Sequence, residues 1–215
     1  MKRYLLSFCT ASILLFACND KKKTDEGSSE KKADEIQTSK EMMPEPDSAT
    51  MMKNWQDYMT PGDMHKMMAK WDGAWNGEVS VCMYPGAPWQ KSASTAVNKM
   101  IMNGLYQQTE HTGEMMGMPF NGQSTVGYDV HLKEFVSTWI DNMGSGIMVL
   151  KGPWDEATKT ITLKGTMIDP GTKKETAVRE TFKITDDNTQ EMAMYVMMPD
   201  GKEFNTMNIK YTRKK

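Results

Sequence analysis

The chain has 215 residues, with 26 Lys and Arg against 28 Asp and Glu and a net charge of −2. That length holds one domain of ordinary size plus a tail. The near-neutral balance supplies no basic surface to neutralise phosphates, which excludes nucleic acid as a partner on electrostatic grounds. The unusual count is methionine, at 23 residues.

In chain order, residues 1–17 read as a targeting segment. Lys2 and Arg3 precede an apolar run over 4–16. A helix that short rises only about 20 Å, too little for a hydrocarbon core of about 30 Å, so the run is a signal peptide and not a membrane span. It ends Leu15-Phe16-Ala17-Cys18. These four residues resemble the bacterial lipobox, although Phe16 is larger than the residue usual there. The resemblance implies acylation of Cys18 and attachment to a membrane through the N-terminal lipid, palmitate included. It places the chain in the bacterial cell envelope, on the periplasmic side or at the outer membrane. Two acyl chains, at about 0.8 kcal/mol per buried methylene, hold a protein where one does not. Cys9 leaves with the signal and Cys18 carries lipid. Only Cys82 remains, so no intramolecular disulfide is expected.

Residues 18–50 are rich in Lys, Asp, Glu and Ser and poor in aromatic and branched apolar side chains. Such a stretch buries too little surface to offset its ordering entropy and reads as a disordered linker. Over 51–71 the pattern becomes helical. Met51, Met52, Trp55, Tyr58 and Met59 share one face of a first short helix. Thr60-Pro61-Gly62-Asp63 opens a second, with Thr60 as N-cap, Pro61 in the first turn and Asp63 as the capping acid. Its apolar stripe, Met64, Met67, Met68 and Trp71, is expected to cover one mouth of a barrel formed by the rest of the chain.

From residue 72 the period changes to two. Val79, Val81 and Met83 share a face; later Ile161, Leu163 and Met167 do, then Val178, Phe182 and Ile184, then Met207, Ile209 and Tyr211. Turn signals separate the runs: Pro85-Gly86-Ala87-Pro88, Asn103-Gly104, a Gly/Pro-broken corner over 113–119, Asn142-Met143-Gly144-Ser145, Asp169-Pro170-Gly171-Thr172, Asp186-Asp187-Asn188 and Asp200-Gly201. About ten strands at regular spacing predict an all-β domain over 72–215. The expected form is a single antiparallel up-and-down β-barrel preceded by one or two short helices. A sandwich is the other reading of such spacing, but closure removes the two edges an open meander would expose.

Two resemblances add to this. WDGAWNGEVSV (71–81) is similar to the Gly-x-Trp first strand of lipocalins and other calycin barrels, through Gly73 and Trp75. PGAP (85–88), TAVNKMI (95–101), GEMMGMPFNG (113–122), GYD (127–129), STWIDNMGSGIM (137–148), WDEATKT (154–160) and PDGKEF (199–204) resemble the bacterial secreted family called domain of unknown function 1579. The resemblance implies a secreted calycin-like barrel and no particular activity.

No arrangement of catalytic residues is readable. His65, His111 and His131 each stand alone, without the paired spacing of a zinc site, so no metal and no cofactor is expected. Thioethers suit Cu(I), and His111 lies near Met115, Met116 and Met118. Yet methionine is spread through helices, strands and loops alike, which suits its use as a flexible filler. A haem would take His111 or His131 as its ligand, with no adjacent signature in support. Cys82 reads as a small packed residue. Small-ligand binding is the best reading that remains, with Trp75, His111, Tyr128, Trp139, Arg179 and Tyr195 as candidate cavity residues. The alternatives are a filled barrel acting as a structural or protein-interaction module, and an enzyme using the barrel mouth near Arg179.

Overall fold

The computed structural model describes residues 45–215. The expected signal peptide, Cys18 and nearly all of the linker lie outside them. Helix α1 spans Ser48–Tyr58, begins where the Asp47 side chain accepts from Thr50 N at 2.8 Å, and buries none of its residues. Tyr58 ties it down, stacking on His131 with ring centroids 5.1 Å apart and donating to Asp129 Oδ2 at 3.3 Å. Helix α2 is shorter than the sequence suggests, Asp63–Ala69. Thr60 is not its cap: its hydroxyl donates to Gln56 O and closes α1. Gly62 caps α2, and His65 takes the role expected of Asp63, its Nδ1 accepting from Gly62 N at 3.0 Å.

Eleven strands follow: β1 (Gly73–Val81), β2 (Gln90–Ile101), β3 (Tyr106–Met115), β4 (Met118–Asp129), β5 (Glu134–Asp141), β6 (Met148–Gly152), β7 (Trp154–Asp155), β8 (Thr160–Ile168), β9 (Glu175–Asp186), β10 (Thr189–Met197) and β11 (Glu203–Arg213). Each pairs antiparallel with its neighbours in sequence, except that β6 and β7 do not pair and β7 adds only two residues to β8. β11 pairs with β1, and β6 pairs with β8, so ten strands close into a ring. The closed all-β barrel expected from the period-two pattern is the fold. The corner expected over 113–119 is straighter than that: β3 runs to Met115, and the chain reverses at Met116 and Gly117, at φ 53° and 75°. The β2–β3 connection is a 3₁₀ turn over Met102–Gly104, with Asn103 at φ 58°.

One mouth is closed by α2 and the chain that leaves it. Met68 is fully buried and Trp71 nearly so; Trp71 packs on Phe182 at 5.7 Å. Below them Trp75 is 1% exposed. Burying an aromatic of that size contributes on the order of 4–6 kcal/mol. The polar groups of this end have partners. Gln107 Nε2 donates to Met68 O at 2.8 Å and to Asp72 Oδ1 at 3.0 Å. Asn98 and the Trp75 indole both donate to Trp71 O at 2.9 Å, and Asp72 Oδ2 accepts from Met100 N at 3.0 Å. The Arg213 guanidinium lies over the Trp75 ring, 4.3 Å from its centroid, and donates to the carbonyls of Lys70, Asp72 and Asp187.

Candidate functional site

Strand parity fixes which side chains face the lumen. On β9 the buried Val178 points inward, and so therefore do Glu180, Phe182 and Ile184. Glu180 sits between Leu163 on β8 and Met194 on β10, both inward-facing. On β3 the inward set is Gln107, Thr109 and His111. His111 lies directly opposite Gly122 on β4 and Ala96 on β2. On β11 the inward set includes Ile209 and Tyr211.

Two glycines shape the space. A Cβ on Gly122 would lie 2.5 Å from Trp139 Cζ2. The Trp139 indole, reaching over from β5, therefore lies against bare backbone, where it meets the His111 ring edge-on at 5.1 Å. A Cβ on Gly77 would lie 2.3 Å from Ser94 Oγ and 3.2 Å from Tyr211 Cε1. Tyr211 lies over Gly77 in the same way, with its ring 6.2 Å from His111 on the other side. With two large rings folded flat on the wall, the middle of the lumen is not close-packed. Glu180, His111, Trp139, Phe182, Met192 and Met194 are only part-buried, although paired strands wall them off from the outside.

The Trp139 indole donates to Asp141 Oδ2 at 2.7 Å, but other polar groups of this middle layer lack protein partners. Ser94 Oγ and Gln190 Nε2 are buried with none among the described residues, and Gln190 is 2% exposed. Burial pushes the Glu180 carboxyl up to about 7, with no charge or hydrogen bond acting against it. Burial pulls the His111 imidazole down to about 4, so it is neutral at physiological pH. Burial, then the Glu180 charge, pushes the Tyr211 phenol well above its usual range. The Tyr211 phenol thus lies between the Glu180 carboxyl, whose charge it feels, and the His111 imidazole, 6.2 Å from its ring, on an inner wall of aromatic rings and thioethers.

Of the residues expected in a cavity, Trp75, His111, Tyr128 and Trp139 face inward, but only His111 and Trp139 border the middle space. Trp75 is part of the closed mouth. Tyr128 packs on Phe135 at 4.9 Å and edge-on to His65 at 6.0 Å, under α2. Arg179 and Tyr195 are not in the cavity. They pair with each other across β9 and β10, one step out of phase with Glu180 and Met194, and so stand on the outer wall. There Arg179 makes two hydrogen bonds to the Glu203 carboxylate, at 2.7 and 2.6 Å, and stacks 3.9 Å over the Tyr195 ring. The signal for the correct member is in the sequence: Glu180 shares parity with Val178, Phe182 and Ile184. Gln190 shares parity with Met192 and Met194 in the same way, whereas Ser94 stands in a strand whose two faces both carry small and polar residues, so alternation there does not announce its face.

His131 lies in the β4–β5 turn against Tyr58, away from the lumen. Among the described residues no three His, Cys, Asp or Glu side chains gather as a metal cluster. Cys82 is buried, with Sγ 3.4 Å from Tyr84 O and 3.3 Å from Ala87 O, and fastens the β1–β2 loop. A groove of about 730 Å³ lies on the outer wall, where Ser80, Ala93, Thr181 and Ala193 form a low floor between Lys91, Lys183 and Glu191. Short side chains between long charged ones make such a trough on any barrel wall. None of the groups whose proton affinity burial shifts strongly borders it.

Residues 60–213 match the family model described as protein of unknown function DUF1579. The chain belongs to this family. The DUF1579 match takes in α2 and every strand of the ring. No curated protein sequence matches the chain. Among solved structures, Rv2717c from M. tuberculosis is similar over 73% of this chain and 100% of its own, at 12% identity and a TM-score of 0.56. The S-type phycobiliprotein lyase CPES from Guillardia theta is similar over 74% and 97%, at 10% identity and a TM-score of 0.51. At such identities the likeness is one of fold: DUF1579 here takes the calycin-like barrel.

Proposed function

We propose that this DUF1579 protein is lipid-anchored in the bacterial cell envelope and that its barrel holds one small amphipathic molecule. The observation that carries the binding reading is Glu180, enclosed in the lumen without an ion-pair partner among the described residues, beside unpartnered Ser94 and Gln190. Buried polar groups are nearly always paired, and an orphaned set in an enclosed, partly apolar space marks a place for water or a ligand. The lipobox-like Leu15-Phe16-Ala17-Cys18 supports the anchor, with residues 1–17 removed, 18–46 as tether up to the cap of α1, and 72–215 as the barrel domain.

The binding reading is tested with N-phenyl-1-naphthylamine, a neutral amphiphile that brightens in apolar surroundings. One saturable site per chain is expected, and Ser94→Trp, which fills the lumen, abolishes it. Met194→Trp fills the same space from another strand and guards against one misfolded variant. No uptake, or uptake unchanged in both folded variants, sinks the reading. For the anchor, Cys18→Ala is expected to move the chain from the membrane to the soluble fraction; a wild-type chain already soluble contradicts it.

A further inference from the structure

Resting on the lumenal reading above, we infer that the molecule held is an amphipathic amine, its ammonium group set against Glu180 and its apolar chain against the thioethers and rings. The inward-facing charges decide the sign. Glu180 is an acid, and so is Asp141, near the other mouth, which already accepts from the Trp139 indole at 2.7 Å and from Met143 N at 2.8 Å. Among the described residues no lysine or arginine of the strands faces the middle of the lumen. Lys91, Lys99, Lys151, Lys164, Lys183 and Lys210 are all on the outer wall. Arg213 stays at the closed mouth, engaged by three backbone carbonyls. An anionic head group would meet a carboxyl with no counter-cation.

An ammonium meets the opposite. It supplies the charge the carboxylate lacks, and its three N–H groups have Glu180 as first acceptor, with the Tyr211 hydroxyl next and Ser94 Oγ and the neutral His111 ring on the same inner wall. An opposite charge close to the carboxylate favours its ionised form, so the ammonium and Glu180 hold each other charged. The orphan donor Gln190 Nε2 leaves a place for an acceptor atom on the same molecule. The groups packed around Glu180 restrict what can titrate. Leu163 and Met194 flank it, Tyr211 keeps its proton, and His111 stays neutral above about pH 5. Of these groups Glu180 is the one that changes charge between pH 5 and 8, so an amine binding below pH 7 displaces the Glu180 proton into solvent.

The test compares decylammonium, decanol and decanoate, which differ only in the head group, by calorimetry on the Cys18→Ala full chain at pH 8. Decylammonium is expected to bind at least about tenfold tighter than decanol, and decanoate weakest. Glu180→Gln is expected to bring the amine-to-alcohol ratio near one. In the unsubstituted lumen at pH 6, binding heats measured in two buffers of different ionisation enthalpy are expected to reveal close to one proton released per amine, and none at pH 8. Decanoate binding as well as the amine, or an amine preference that survives Glu180→Gln, overturns this inference and leaves the lumenal site standing. Failure of all three to bind overturns both.

Discussion

The closed mouth and the middle of the barrel are built from the same kinds of residue and treated oppositely. At the mouth, Gln107, Asn98, Asp72, Arg213 and the Trp75 indole have all found partners, most of them backbone carbonyls of α2 and the chain that leaves it. In the next layer Glu180, Ser94 and Gln190 have none among the described residues. An unsatisfied buried polar group costs about 1–3 kcal/mol. A fold able to satisfy five such groups at one level does not leave three idle at the next for want of partners. The mouth is arranged for stability, and the middle layer gives some of it up, which on the proposed reading keeps a site open.

Substitutions can break that contrast. The largest effect is expected from Trp75→Ala at the mouth, a loss of about 3–5 kcal/mol in urea unfolding; a loss under about 1 kcal/mol would mean the mouth is not where stability resides. Glu180→Gln in the middle is expected to stabilise. Its carboxyl lies at about 7 in the fold against 4.5 unfolded, a difference worth about 3 kcal/mol. Because the folded chain holds that proton longer, wild-type stability falls as pH rises from 4.5 to 7. The gain on substitution is therefore full at pH 8 and gone by pH 4. His111 acts in the other direction. Its imidazole, at about 4 in the fold against 6.5, gives stability that is present above 6.5 and lost as pH falls toward 4. The two slopes oppose each other, so the wild type should be nearly flat between pH 4.5 and 6.5 while Glu180→Gln climbs across that window. Thermal melts across pH decide it, and a wild type that climbs as steeply as the variant would show that Glu180 is not held protonated.

Gly122→Ala is expected to cost about 1–3 kcal/mol by forcing the Trp139 indole off the wall, with a shift in tryptophan emission. The smallest effect belongs to the outer wall. Arg179→Ala removes a well-formed pair with Glu203 and should change stability by less than about 1 kcal/mol, since water already serves both charges.

Much of this architecture is readable from residues alone. Alternation in β8, β9 and β11 marks the strands and their inward faces, because a period of two has one physical meaning when one face is buried. Details that depend on exchange between neighbours are not readable in that way. Thr60 loses the α2 cap because Gln56 O is within reach of its hydroxyl. Arg179 and Glu180 are adjacent charges that must face opposite ways, and the preference of charge for solvent does not say which turns inward, although parity does. An inward-facing unpaired acid violates that preference, which is why the proposed site is placed there. The closing pair, β6 with β8, joins strands separated by Pro153 and the two-residue β7, and local pattern cannot show a pairing made across an interruption.

Native mass spectrometry of the full chain released from its own cells tests the occupied lumen most directly. The expected result is one small molecule per chain, lost on collisional activation and missing from the Ser94→Trp protein. Chains that emerge only at their covalent mass, from cells and after incubation with amphiphiles alike, would contradict it.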